Sequence, residues 1–410
     1  MNYKSVLADK DILVFVDNDD FVWEFVKNAL LSSNQTYIKI NSTTSLRENW
    51  TSFHKASNFI IYWENLQRNG GAIVEEILEI DPIYDVSNKI IILTTHPHHQ
   101  DVIYFNELNI KKIILLRQKI DIIQKASKDL IKYLNQKFTS NPVELMWHNL
   151  QHNIDQIKQN KLELSEITNI EQKIQKISDK QKNTAKYYDI LAQIYFLKQN
   201  FKQSEELWNK ALDINPNYYR TYSNLIEYYI ATNQLDMACN LLHKLHTLNQ
   251  KGISHLVKLG EIYLKKDEQL KAEHYFKEAL EKDKYCSKAL NGLAIIKFKQ
   301  ADLEEAKKLI SRSSLISQFA STLNEMGINL VKNQKYQQAL DLYTKAQYVV
   351  PNRIKSSMLF YNIGLCYLKW NKNELAKKFL NLALTKESNY IKAQKLLATI
   401  SSNTTNNNIK

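Results

Sequence analysis

Histidines gather at two places where a metal ion could be held. His96, His98 and His99 lie in the run HPHH, and His148 and His152 are four residues apart in a helical pattern. Imidazole is a common zinc ligand, but a zinc site needs three or four ligands at short spacing. Neither group has a cysteine or a third spaced ligand nearby. We therefore favour solvent-exposed histidines and predict no metal site.

Motifs that indicate catalysis are missing from the sequence. There is no glycine-rich phosphate loop, no G-x-S-x-G elbow and no Cys/His dyad. The one glycine pair, Gly70-Gly71, fits a turn that opens a helix. We predict a protein that is not an enzyme and has no cofactor; magnesium would be needed only under the alternative given below.

The composition favours long helices in more than one domain. The chain has 410 residues with 7 glycines, 5 prolines and 44% hydrophobic residues, which is too long for one ordinary core and poor in tight turns. Three scattered cysteines fit a reducing compartment. The first residues are charged and the longest apolar runs have strand length. These features predict a cytoplasmic protein without membrane insertion.

The net charge of +12 is unevenly distributed. Residues 1–140 carry −1, residues 141–184 are neutral, and residues 185–410 carry +13. The excess could simply keep the protein soluble, or it could serve an acidic partner. Nucleic acid is the least favoured partner, because no helix-turn-helix or RNA-binding signature is present.

The N-terminal part alternates apolar runs with helical patterns. Five such units within about 135 residues predict a doubly wound parallel sheet of α/β class. The predicted strands are 12–16, 37–40, 59–62, 90–93 and 113–116, and the predicted helices are 19–33, 44–55, 70–80, 98–108 and 119–137.

This order and spacing resembles a response-regulator receiver domain, a flavodoxin-like fold. In that family, carboxylates after strand one bind magnesium and an aspartate ending strand three accepts a phosphoryl group. A Thr/Ser after strand four and a Lys after strand five then respond to the phosphate. The equivalent positions of this sequence form a degenerate pocket of Asp17, Asn18, Trp63, Thr94 and Arg117.

The resemblance therefore implies a pseudo-receiver that cannot be phosphorylated. Trp63 cannot accept a phosphoryl group, and a single carboxylate is a poor magnesium site. Glu64 is one residue off and is expected to face the other side of the strand. The alternative is a genuine two-component response regulator, with the acceptor in another register. The receiver resemblance alone also implies a bacterial source.

Residues 141–184 carry two apolar stripes at helical spacing. The first runs from Val143 to Ile157 and the second from Ile167 to Ile177. We favour a helical linker or N-terminal cap of the array that follows; a dimerising coiled coil is the alternative, although two heptads are few.

From residue 185 onward a pattern of large and small residues repeats six times. Its small position recurs at residues 192, 226, 260, 294, 327 and 364, with spacings of 34, 34, 34, 33 and 37. The pattern resembles the tetratricopeptide repeat (TPR) and predicts an all-α solenoid of six helix pairs.

The predicted parts of the chain are a receiver-like domain (1–140), the linker (141–184), the repeat array (185–400) and a disordered Asn-rich tail (401–410). Within the array, the repeats are expected at about 185–218, 219–252, 253–286, 287–319, 320–353 and 357–390, followed by a capping helix (391–400).

In this family the first helix of each pair lines a concave groove. Repeats one and two place polar residues there, among them Asp189, Gln193 and Arg220, whereas later repeats place apolar ones beside a lysine ladder. The predicted partner-binding groove comprises Lys265, Ile295, Phe298, Lys299, Ile328, Val331, Lys332, Tyr361, Leu365, Leu368 and Lys369. The lysines could instead complement helix dipoles.

These features together predict a signalling adaptor. Its TPR groove would bind a protein or peptide with apolar anchors and acidic flanks. The pseudo-receiver would dock or regulate, and it could itself cover the groove in an autoinhibited form.

Overall fold

The computed structural model describes residues 12–407, except residues 18, 42, 55, 57, 66–67, 82–85, 109, 118–119, 136–141, 159–162, 164, 176, 178–181 and 351–355. Contacts divide the chain into two units. The first comprises Met1–Glu268 with Glu281–Lys284, and the second comprises Gln269–Leu280 with Tyr285–Lys410. Asn18 of the predicted pocket therefore lies outside the described residues.

In the first unit, five parallel strands form one sheet in the order β2-β1-β3-β4-β5. Their register pairs Ile12 with Tyr37 and Asn58, and Ile91 with Lys112. This confirms the predicted doubly wound α/β fold. The strands are β1 (Ile12–Phe15), β2 (Tyr37–Ile40), β3 (Asn58–Tyr62), β4 (Ile90–Thr94) and β5 (Lys112–Leu115).

Helices cover both faces of this sheet because alternate strand residues point to opposite sides. The helices are α1 (Asp20–Ser32), α2 (Leu46–Phe53), α3 (Gly70–Ile80), the short α4 (Val86–Lys89), α5 (His99–Glu107) and α6 (Ile120–Asn135). Phe59 and Ile61 share a core with α2, α3 and α5. Ile60 packs on the other face with α1 and α6.

The remaining helices include the solenoid that was predicted. Their bounds are α7 (Pro142–Lys158), α8 (Glu166–Gln175), α9 (Ala185–Leu197), α10 (Phe201–Ile214), α11 (Tyr219–Ala231), α12 (Leu235–Leu248), α13 (Ile253–Lys265), α14 (Gln269–Lys282), α15 (Ser287–Lys299), α16 (Leu303–Arg312), α17 (Ile316–Lys332), α18 (Tyr336–Val349), α19 (Ser356–Lys369), α20 (Asn373–Lys386) and α21 (Ile391–Asn407). In the first unit α9 packs on α10; in the second, α15 packs on α16, α17 on α18 and α19 on α20.

Each repeat turns between its two helices through one residue with a left-handed backbone. These residues are Gln199, Asn233, Asp267, Ala301, Gln334 and Asn371, with φ between 59° and 63°. Their spacing equals that of the small repeat position. A non-glycine residue adopts this conformation at some cost, so packing of the helix pairs must impose the turn.

The last helix is longer than predicted. A disordered tail was expected from residue 401, but α21 continues to Asn407. The segment between Ile391 and Asn407 contains neither glycine nor proline, and these are the residues that most strongly end a helix.

Candidate functional site: the concave faces and the sheet edge

In the second unit, a cavity of about 410 Å³ is bordered by helices α17, α18 and α19. Ile328, Val331 and Leu365 give it an aliphatic lining, and Lys332 and Lys369 add two cationic side chains. All five belong to the predicted groove. The aliphatic residues are partly exposed and both lysines are exposed, so the cavity offers apolar contact beside positive charge.

A glycine allows these helices to approach closely enough to form the cavity. A side chain at position 327 would collide with the ring of Tyr343. Tyr343 is 1% exposed and its side chain reaches across to line the cavity. Asn324 and Asn362 are hydrogen-bonded to each other and connect α17 with α19. The small repeat position therefore determines how α17 and α18 pack.

The remaining apolar groove candidates have different surroundings. Phe298, expected on the groove floor, is only 5% exposed and packs edge-on to Phe319, with ring centroids 6.5 Å apart. It is a core residue, because its ring is buried against Phe319 of α17, the first helix of the next repeat. Ile295 is half-buried. Tyr361 contacts Tyr390 at 5.4 Å between ring centroids, and Leu368 joins the apolar cluster of the last helices.

The lysines of the ladder lie at equivalent ends of their helices. Lys265, Lys299, Lys332 and Lys369 are each exposed and each occupy the last turn of a helix. A cation there is favoured by the helix dipole. Lys332 and Lys369 differ in also lining the cavity.

The concave positions of repeats 1 and 2 meet the chain's own helix α7. Gln151 exchanges hydrogen bonds with Gln193 at 3.0 and 3.1 Å. Asp155 lies 3.4 Å from Arg220, and Lys158 lies 3.7 Å from the Glu227 carboxylate. Beside these polar pairs, the stripe Trp147, Leu150, Ile154 and Ile157 shares a core with α8 and with Ile190 and Ile194. The linker thus covers this face; the sequence predicted a helical linker or N-terminal cap, but not which face it would meet.

A buried carboxylate lies on the same covered face. Asp189 is 0% exposed and accepts hydrogen bonds from Thr221 at 3.0 Å, Asn224 at 2.9 Å and Gln193 at 3.1 Å. Burial raises the pKa of Asp189, although the Arg220 charge and these hydrogen bonds oppose the rise. Three donors satisfy a carboxylate that burial would otherwise strongly destabilise.

At the carboxyl edge of the sheet, three consecutive residues after β3 reach three different neighbours. The Trp63 indole, 5% exposed, donates to Asp101 on α5 at 2.9 Å. Glu64 reaches the end of β4, where Thr94 donates to it at 2.5 Å. Asn65 accepts from the Asp17 amide at 2.9 Å and donates to the Phe15 carbonyl. Of the other pocket positions, Arg117 is exposed.

Glu64 does not lie where strand alternation placed it. Strand β3 ends at Tyr62 and Glu64 lies in the following turn, so the strict alternation of a strand no longer applies. Its carboxylate is instead hydrogen-bonded to Thr94, which is fully buried. The pocket is therefore occupied by one of the protein's own anions.

Helix α5 also contacts repeats 2 and 3 within the first unit. Lys251 lies 2.6 Å from Asp101, while Asn249 donates to Glu107 at 2.7 Å and His255 lies 2.5 Å from it. Burial would raise the pKa of Asp101, but hydrogen bonds from Lys251 and Trp63 lower it. Burial would also raise the pKa of Glu107, but the hydrogen bond and the charge of His255 lower it.

A second contact lies beside α3. Arg68 is 6% exposed and lies 3.1 Å from Asp283, which is 5% exposed; it also bonds Glu76. Near it, burial raises the pKa of Glu75 to about 8, and Tyr104 donates to that carboxyl. Nothing in the sequence connected these residues, because partners up to 215 positions apart leave no local signal.

The described residues contain no group of three His, Cys, Asp or Glu side chains arranged to hold a metal ion. The HPHH run instead lies at the start of α5, where the His98 amide donates to Asp101 at 2.7 Å. In the same part of the chain, no helix combines the length and apolarity that crossing a bilayer requires.

Family models for the tetratricopeptide repeat match residues 185–218 and 359–388. The chain therefore contains TPR repeats, as its sequence pattern predicted. No receiver family is among these matches.

Two curated proteins are similar to part of this chain. The DnaJ homolog subfamily C member 7 homolog of Schizosaccharomyces pombe is 28% identical over 171 residues, covering 42% of this chain and 32% of that protein. BBSome complex member BBS4 of Bos taurus is 24% identical over 229 residues, covering 47% and 43%. The chain thus spans less than half the length of these relatives.

Among solved structures, the APC/C hetero-tetramer Cut9-Hcn1 is similar with 17% identity and a TM-score of 0.40, covering 73% of this chain and 54% of that one. A tetratricopeptide repeat protein from Parabacteroides merdae has 16% identity and a TM-score of 0.38, covering 63% and 99%. These similarities concern the fold and not the function.

Proposed function

We propose that this protein is a non-enzymatic adaptor whose TPR groove binds a segment of another protein. The observation that carries the proposal is the cavity between α17, α18 and α19, which combines aliphatic side chains with Lys332 and Lys369. Partly exposed aliphatic side chains in a concave site favour an apolar anchor. The two cations favour acidic residues flanking that anchor.

We further propose that the N-terminal domain is receiver-like and docks on the array without taking part in phosphotransfer. The sheet order supports the receiver resemblance. The buried Trp63 at the acceptor position argues against phosphorylation, because its side chain has no carboxylate to accept a phosphoryl group. The two-component assignment and the bacterial source rest on this resemblance and remain predictions, as does a cytoplasmic location.

A peptide panel tests the groove. Labelled helical peptides with leucine anchors and glutamate flanks would be compared with versions that carry lysine flanks or serine anchors, by fluorescence anisotropy on the full chain. We expect binding of the glutamate-flanked leucine peptide and its loss in the Val331→Ala, Leu365→Ala double variant. Equal binding of all three peptides, or full binding by the variant, would reject the groove as the partner site.

A separate experiment tests the phosphotransfer alternative. Intact-mass measurement after incubation with acetyl phosphate and magnesium should show no phosphoryl adduct on the full chain. A stable or acid-labile adduct would favour the response-regulator alternative and would require an acceptor other than Trp63.

A further inference from the structure

We propose that the loop after β4 is an anion-binding site whose resident anion is the carboxylate of Glu64. Through this site, Glu64 acts as a positioning residue for the contact between α5 and repeats 2 and 3. The inference deepens the docking role proposed above and does not depend on what the groove binds.

The loop offers converging donors of the kind that hold oxyanions. The Thr94 hydroxyl lies 2.5 Å from Glu64 Oε1, and the amides of Thr95 and His96 lie 3.1 and 3.2 Å from the same atom. The Thr95 amide also lies 3.3 Å from Oε2. Successive main-chain amides that converge in this way form a concave site for an anion. A charged acceptor strengthens each bond.

The held loop leads directly into α5. His98 caps this helix, its amide donating to Asp101 at 2.7 Å. Asp101 is in turn bonded by Trp63, the neighbour of Glu64 in the turn after β3. The turn after β3 thus fixes the loop before α5 through Glu64 and the Asp101 carboxylate of α5 through Trp63.

Two α5 carboxylates then contact the repeats. Asp101, whose side chain is 1% exposed, pairs with Lys251 at 2.6 Å. Glu107, 10% exposed, is bonded to Asn249 and His255. Since buried carboxylates tolerate little displacement from their partners, a shift of α5 would break this contact. Removing the anion should therefore loosen residues on both sides of it.

Chemical rescue tests this inference. Glu64→Ala in the full chain should raise amide hydrogen exchange about tenfold or more in peptides covering 98–108 and 249–255, because charge-assisted bonds are lost. Sodium formate, which replaces the missing carboxylate, should restore protection, and sodium chloride at equal ionic strength should not. The control is Glu24→Ala, which removes an exposed carboxylate that pairs with the exposed Lys27 on α1, and it should exchange like the wild type.

Three results would overturn the inference: wild-type exchange in Glu64→Ala, equal restoration by chloride, or a Glu64→Gln variant that exchanges like the wild type. The glutamine variant also serves if the alanine variant does not fold.

Lys251→Ala distinguishes the docking contact of α5 from the positioning role of Glu64. If it leaves exchange at 98–108 unchanged, the docking contact itself fails; if it loosens this segment while both Glu64 variants do not, only the role of Glu64 fails.

Discussion

The concave faces of repeats 1–2 and of repeats 5–6 use equivalent repeat positions with different chemistry. The first carries Asp189, Gln193 and Arg220, and helix α7 meets them with its own polar groups. The second carries Ile328 and Leu365 around a cavity of about 410 Å³. The first face is therefore covered by helix α7 of the same chain, whereas the second borders an open cavity.

The difference follows from how polar and aliphatic side chains are stabilised. Buried polar groups need partners at short distance, so a polar concave face is stable when a fixed element supplies them. An open aliphatic face leaves no polar group unsatisfied, but it exposes apolar surface to water, and a bound partner would remove that exposure. Four experiments can contradict or sharpen this comparison.

The largest effect is expected from the covered face. Ile154→Ala removes a fully buried side chain from the core that α7 shares with Ile190. We expect a loss of about 2–5 kcal/mol in unfolding free energy, measured by urea denaturation. Asn149→Ala, an exposed position on the same helix, should cost little. Equal losses in the two variants would mean that α7 does not depend on this packing.

Overpacking near the open face should cost somewhat less. In Gly327→Leu the new side chain meets the Tyr343 ring, and we expect a loss of about 1–3 kcal/mol. Asn329→Leu, exposed on the same helix, controls for helix propensity. If Gly327→Leu melts like its control, α17 and α18 do not pack as described.

The buried carboxylate should give the covered face its own dependence on pH. Because burial raises the pKa of Asp189, the folded state retains this proton more strongly than the unfolded state does. Stability relative to Asp189→Asn should therefore fall as pH rises from about 3.9 through the raised pKa. Thermal melts of both proteins between pH 3.5 and 7, in buffers of equal ionic strength, measure this difference. If stability relative to Asp189→Asn rises with pH, the pKa of Asp189 is not raised by its burial.

The smallest effect concerns the cationic rim of the open face. Lys332→Glu with Lys369→Glu should weaken binding of the glutamate-flanked peptide about tenfold at low salt and less at high salt. Lys308→Glu, exposed on α16, is the control. No change in the salt dependence would leave these lysines with a helix-end role only.

Local patterns predicted most of the elements. Strand β2 is found at the predicted residues 37–40 and helix α3 at 70–80, because runs of apolar residues and the glycine pair at the start of α3 are local signals. The repeat period likewise predicted the helix pairs. Phe298 shows the limit: its repeat position indicated the groove, but packing against Phe319 buries it.

Neighbouring residues were enough to predict the two fold classes and the repeat period. Three features became visible only in the folded chain: which concave face is covered, that Glu64 occupies the pocket beside β4, and that α5 contacts Lys251. Periodicity can be recognised from neighbouring residues, because it follows from the geometry of a single helix or strand. Contacts between Asp101 and a lysine 150 positions away depend on how completed elements pack, and that information is spread over the whole chain.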